Sequence, residues 1–170
     1  MKQCLATSRR GLSMIEVVIS TALISVVLVG ALNAVGQSAK TAEATRTGAM
    51  SAWLADDLLA EMMAAPAAFT EVLTRGPESD EVGRARSVFD DLSDYHGWTS
   101  SPPQQTDGTV IPGTSGWTRS ANVYGADSTL SRTNDLNGTT WILEVVVSNE
   151  RRQVTRRVAV RTEAAEEARQ

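Results

Sequence analysis

The residue with the most chemical consequence in this chain is Glu16. It is the only formal charge between Leu12 and Gly36, in a run of Leu, Ile, Val, Ala and Met with scattered Ser and Thr. A carboxylate in hydrocarbon costs free energy. Either the run does not span a membrane, or Glu16 has a role that offsets the cost. Gly11 stands five residues earlier, between the basic pair Arg9-Arg10 and the apolar run. An ordinary secretory signal is cut after its apolar part. A cut after Gly11 would instead remove the charges and leave the apolar helix on the mature protein.

Other residues capable of chemistry form no catalytic constellation. His96 is the single histidine, with Asp94 two residues before it, and no nucleophile-elbow glycine pattern accompanies them. We therefore read His96 as a loop hydrogen-bonding residue, assign no catalytic residue, and expect a non-enzyme. No phosphate-binding glycine motif and no histidine pair for metal are present. Asp127, Asp135 and Asn137 offer oxygen ligands of the kind calcium takes, but their spacing fits no ligand pattern. Turn formation is the better reading. The expectation is no cofactor, with calcium at this loop as the alternative. Arg151, Arg152, Arg156, Arg157 and Arg161 make one hairpin basic. Solvation or pairing with acidic neighbours outweighs phosphate binding there, and the acidic body argues against nucleic acid.

The elements that position these residues follow from composition and periodicity. The chain has 170 residues, 42% hydrophobic and 21% charged, enough for one small domain beside the apolar run. Lys2, Arg9 and Arg10 carry three positive charges, so the remainder of a chain of net charge −4 carries −7. A basic stub before an apolar segment is the cytoplasmic orientation signal. Cys4 is the only cysteine, which excludes an intramolecular disulfide. The roughly twenty residues from Val17 to Gly36 are long enough to cross a hydrocarbon core of about 30 Å. In 37–65, Met50, Leu54, Leu58 and Met62 recur every four residues, with Trp53 and Leu59 alongside, as on an amphipathic helix. Asp56, Asp57 and Glu61 should face water, and Pro66 should end the helix. Gly30, Gly36 and Gly48 are points where it could bend.

A short helix is expected over 81–95, with Val88, Phe89 and Leu92 inward. Residues 93–116 read as a long loop pinned to the core by Trp98 and Trp117. Strands follow from Trp117, from Thr139 (Trp141, Leu143, Val145 and Val147 on one face) and from Gln153 (Val154, Val158 and Val160 on one face), the last two joined by a turn over 149–152. Arg156 shares the parity of those valines, which leaves the face of the last strand open. The fold expectation is α+β: a long N-terminal helix packed on a small antiparallel sheet. The organisation is a leader over 1–11, a transmembrane or filament-core helix over 12–36, its amphipathic continuation over 37–65, a globular domain over 66–162 and a charged tail over 163–170.

The stretch RRGLSMIEVVISTALI resembles the N-terminal cleavage and methylation motif of type IV pilin-like proteins. Basic leader, Gly, apolar first mature residue, Glu at the fifth mature position and long apolar helix all agree together. SAWLADDLLAEMMAAP is similar to the corresponding helix of minor pseudopilins of type II secretion. The resemblance implies cleavage by prepilin peptidase between Gly11 and Leu12 and N-methylation of Leu12. It also implies pairing of Glu16 with the Leu12 amine of a neighbouring subunit, and physics supports that role. Opposite charges in low dielectric attract strongly, and an unpaired Glu16 would penalise subunits set at the wrong height. The implied partners are the peptidase, other pilin-like subunits and an inner-membrane assembly platform. The implied location is the bacterial inner membrane, with Lys2, Arg9 and Arg10 cytoplasmic, the domain periplasmic, and assembly into a periplasmic filament. A minor pilin of a type IV pilus or DNA-uptake system is the alternative. A periplasmic enzyme on an uncleaved anchor is disfavoured. Leu12 departs from the Phe most often found at that position, and the missing cysteine pair departs from many pilus subunits.

Overall fold

A computed structural model of the chain describes Gly11 and residues 13–67, 75–150 and 152–163. Lys2, Cys4, Arg9, Arg10, Leu12, Arg151 and the tail beyond residue 163 lie outside the described residues. The layout is α+β, with one long helix and a five-stranded antiparallel sheet. The helix, α1, runs Met14–Ala64 without a break at Gly30, Gly36 or Gly48 and stops just before Pro66. Two compact units divide at residues 45 and 46, inside this helix.

In the second unit, α1 packs on the sheet through Leu54, Ala55, Leu58 and Met62, all fully buried. The four-residue spacing of Leu54, Leu58 and Met62 places them on one side of the helix, as the sequence predicts. Trp53 differs from that stripe and stays half exposed. The strands are β1 Thr99–Ser100, β2 Trp117–Ala126, β3 Arg132–Thr133, β4 Thr140–Asn149 and β5 Arg152–Thr162. Their order is β1-β2-β4-β5, and β3 pairs with the far end of β2. β2 buries alternate residues from Trp117, and β4 buries Trp141, Leu143, Val145 and Val147 against the helix.

The last strand corrects the sequence reading. A bulge between Val147 and Ser148 sets Val147 opposite Thr155 but Ser148 opposite Gln153. Val154 is the extra residue, and it packs on the core edge. Beyond it the parity is reversed: Thr155, Arg157, Ala159 and Arg161 share the inner face with the β4 core residues. Val158 and Val160 lie on the outer face, each nearly half exposed. β5 is an edge strand, so its inner face meets the polar flank of α1 rather than the apolar centre. The segment 81–95 is also not an α-helix. It forms two short 3-10 turns, Arg86–Val88 and Ser93–Tyr95, with Leu92 buried and Val88 and Phe89 partly so.

Candidate functional site

The N-terminal part of α1 leaves its apolar surface uncovered. Thirteen large apolar side chains from Met14 to Val35 are exposed, including the consecutive Val26, Val27, Leu28 and Val29, which point around the whole circumference. Such a helix has no single apolar face for one partner and needs covering on all sides. Its most apolar window has a mean hydropathy of 2.4 and none of it is buried, so α1 is a candidate membrane span. Two hydroxyls inside this run are satisfied by the helix itself: Thr21 donates to the Val18 carbonyl at 3.0 Å and Ser25 to that of Thr21 at 2.8 Å. That removes their desolvation penalty in hydrocarbon. Glu16 lies in the first turn, exposed, and the Ser13 carbonyl accepts the amides of Glu16 and Val17. A carboxylate near a helix N-terminus also sits at the positive end of the helix dipole. Gly11 is exposed just before the helix.

The second part of α1 is held by arginines. The Arg86 guanidinium is 1% exposed and donates to both oxygens of Glu61 at 2.9 Å. It also donates to the Gln104 carbonyl at 3.2 Å and lies 4.3 Å over the Trp98 ring. Glu61 further accepts from the Tyr95 hydroxyl at 3.0 Å and the Thr106 hydroxyl at 2.9 Å. Fully buried Arg119 donates to the Leu54 carbonyl at 3.1 Å, to Asp57 at 2.9 Å and to the Gln104 carbonyl. Arg157 donates to Asp56 at 2.7 Å, and the Ser51 and Thr155 hydroxyls share a hydrogen bond of 2.7 Å. Arg161 donates to the carbonyls of Met62 and Ala65. The last turn of α1 has no basic residue of its own. Arg161 therefore supplies from β5 the positive charge that a helix C-terminus favours.

Asp56, Asp57 and Glu61 are accordingly docking points for arginines rather than groups that simply face water. The helical period marks them as off the apolar stripe. It carries no sign that arginines 25 to 101 residues away reach them. Glu61 responds to two opposed influences. Burial raises its pKa, but the hydrogen bonds and charge of Arg86 outweigh this and hold it below the ordinary carboxylate value. Burial pushes the Tyr95 hydroxyl upward, and the Glu61 charge and hydrogen bond add to that. A pocket of about 470 Å³ opens beside this junction, lined by Trp53, Asp57, Gln105, Thr106, Asp107 and Ile111. Both carboxylates lining it are engaged, Asp57 by Arg119 and Asp107 by the amide of Thr109.

The remaining sequence candidates separate in space. His96 Nδ1 lies 2.7 Å from the Val123 carbonyl, as a loop hydrogen-bonding role requires. Asp94 does not orient it; its Oδ2 accepts the amides of Asp90 and Asp91. Asp127 accepts from the amides of Thr129 and Ser131, and Asp135 from the amide of Asn137, so both close turns. In the basic hairpin, Arg156 pairs with Glu144, Arg157 with Asp56, and Arg161 with helix carbonyls. Glu144 also takes Arg132 at 2.8 Å.

One group of acids was not anticipated from the sequence. Glu78, Glu81, Asp90 and Asp94 each place a carboxylate oxygen within 4.8 Å of the others. Among the described residues, this is the grouping that could hold a metal. Burial pushes the Asp94 carboxyl up to about 7; the Asp91 amide opposes this, while the charges of Asp91, Glu81 and Glu78 add to it. The spacings of three and four residues in Glu78-Glu81 and Asp90-Asp94 were visible, but only the folding of the intervening turns joins the two pairs. Compared with protein-family models, curated proteins and solved structures, the chain matches none.

Proposed function

We propose that this chain is a structural subunit of a type IV pilin-like filament, of the class of type II secretion minor pseudopilins. One observation carries this reading. Glu16 stands in the first turn of a helix whose apolar surface is uncovered on all sides, with Gly11 just ahead of it. The precursor inserts with Lys2, Arg9 and Arg10 cytoplasmic, prepilin peptidase cuts between Gly11 and Leu12, and Leu12 is N-methylated. Helices of neighbouring subunits then replace lipid around the apolar segment. At 4 Å and an effective dielectric of about 20, opposite unit charges attract by about 4 kcal/mol. Pairing of Glu16 with the Leu12 amine of a neighbour therefore favours one axial register over others that leave both charges buried alone. The arginine-held second part of α1 ties the periplasmic domain to the same helix.

Mass spectrometry of the protein from its native membrane tests this reading. The mature chain should begin at methylated Leu12, and Gly11→Ala should accumulate the full precursor. A mature chain that keeps Met1, begins elsewhere, or matures normally as Gly11→Ala refutes it. A deletion strain separates the two filament types. Loss of protein secretion supports a pseudopilin, whereas loss of twitching or DNA uptake with secretion intact supports a pilus minor pilin.

A further inference from the structure

We propose that Glu78, Glu81, Asp90 and Asp94 form a binding site for a hard divalent cation, specifically Ca²⁺, in the segment between α1 and β1. Four carboxylates brought within 4.8 Å of one another repel, and two of them are removed from water, Glu81 at 6% exposure and Asp94 at 0%. Buried carboxylates in proteins are paired or coordinate metals. No arginine or lysine among the described residues forms an ion pair with Asp94, Glu81 or Asp90; those ion pairs lie elsewhere.

The independent pointer to a ligand is Asp94 itself. Its Oδ2 accepts the amides of Asp90 and Asp91 at 3.1 and 3.0 Å, which fixes the carboxylate. Its Oδ1 is buried with no hydrogen-bond partner. A buried acceptor with no donor is costly, and a cation removes that cost. Asp91 is not part of the set, because its Oδ1 is occupied by the amide and hydroxyl of Ser93.

The donors are all oxygen, which suits calcium, magnesium or manganese over softer metals. Calcium binds oxygens at about 2.3–2.6 Å, so ligands on opposite sides stand roughly 4.6–5.2 Å apart; for magnesium the corresponding span is about 4.2 Å. Four carboxylates within 4.8 Å of one another leave room for either ion, but an irregular, turn-built segment suits calcium, which tolerates flexible geometry, whereas magnesium demands a near-ideal octahedron. The same segment carries Arg86, so a bound cation would also fix the arginine that docks on Glu61 of α1. The turn-closing Asp127 and Asp135 take no part.

The test uses the full chain in detergent micelles, stripped with a chelator. Equilibrium dialysis against radioactive Ca²⁺ at up to ~1 mM gives occupancy, and tryptophan fluorescence gives the thermal midpoint. The expected result is one Ca²⁺ per chain and a midpoint that rises with CaCl₂ but not with NaCl of equal ionic strength. Asp94→Asn and Glu81→Gln should each weaken binding roughly tenfold or more, while staying folded because each relieves repulsion. Asp127→Asn should bind as wild type. Absence of bound Ca²⁺, or unchanged affinity in both Asp94→Asn and Glu81→Gln, overturns the site. Loss of binding in Asp127→Asn overturns its location, and an equal response to MgCl₂ overturns the choice of ion. None of these outcomes depends on where the mature chain begins.

Discussion

Replacing Glu61 with Gln should lower the stability of the second unit by about 3 kcal/mol. Glu61 receives Arg86 through two hydrogen bonds, together with the hydroxyls of Tyr95 and Thr106. The amide keeps one acceptor oxygen but turns an NH₂ toward donors and leaves the Arg86 charge unbalanced at 1% side-chain exposure. Removing one partner of a buried pair costs about 3–5 kcal/mol. The lower end applies because Arg86 keeps the Gln104 carbonyl and the Trp98 face. For a chain of this size, 3 kcal/mol corresponds to a thermal midpoint lower by about 6–12 °C. Tryptophan fluorescence of the full chain in detergent reports it, since Trp98, Trp117 and Trp141 all belong to the second unit. Glu61→Met combined with Arg86→Met should be less damaging than Glu61→Met alone, because no charge is then stranded. A loss below about 1 kcal/mol for Glu61→Gln, or a double variant no better than the sum of its parts, refutes the buried-pair reasoning.

The same pair has a pH signature. The Glu61 pKa is depressed on folding, so its stabilisation is complete above the ordinary glutamate value of 4.5 and is lost as pH falls through the lower folded value. The gap in thermal midpoint between wild type and Glu61→Gln should therefore narrow below pH 4.5, and a gap that stays constant on further acidification would contradict this. Gly125→Ala should destabilise by roughly 1–3 kcal/mol, since a Cβ there would stand 1.7 Å from the Asp135 carbonyl oxygen and 2.7 Å from Thr133 Oγ1. The displaced segment includes Leu136, whose carbonyl accepts the Trp141 indole at 2.9 Å, so Trp141 emission should shift as well. An unchanged midpoint and spectrum would exclude that close approach. Glu16→Ala should leave membrane insertion and the mature N-terminus intact while preventing incorporation into filaments, read by co-purification with neighbouring subunits. Normal incorporation would sink the register role.

By itself the sequence determined the features that depend on local period and short-range order. A continuous apolar run makes α1 a candidate span, a four-residue stripe sets which side of it is buried, Pro66 ends it, and alternation marks β2 and the core face of β4. The Gly11 and Glu16 spacing is also a property of the sequence alone. Tertiary structure decided what depends on pairing between distant residues. The bulge at Val147 and Ser148 turned Val158 and Val160 outward and brought Thr155, Arg157 and Arg161 to the helix, which no pattern within β5 specifies. Asp57 and Glu61 look like solvated helix charges by periodicity, yet they receive Arg119 and Arg86 because the sheet and the turns before it deliver guanidinium groups to that flank. Glu81, Asp90 and Asp94 likewise converge with Glu78 only when two 3-10 turns replace the single helix expected over 81–95. Periodicity records which side chains leave water, whereas the partner of a buried charge is fixed by chain crossings that short-range pattern does not encode.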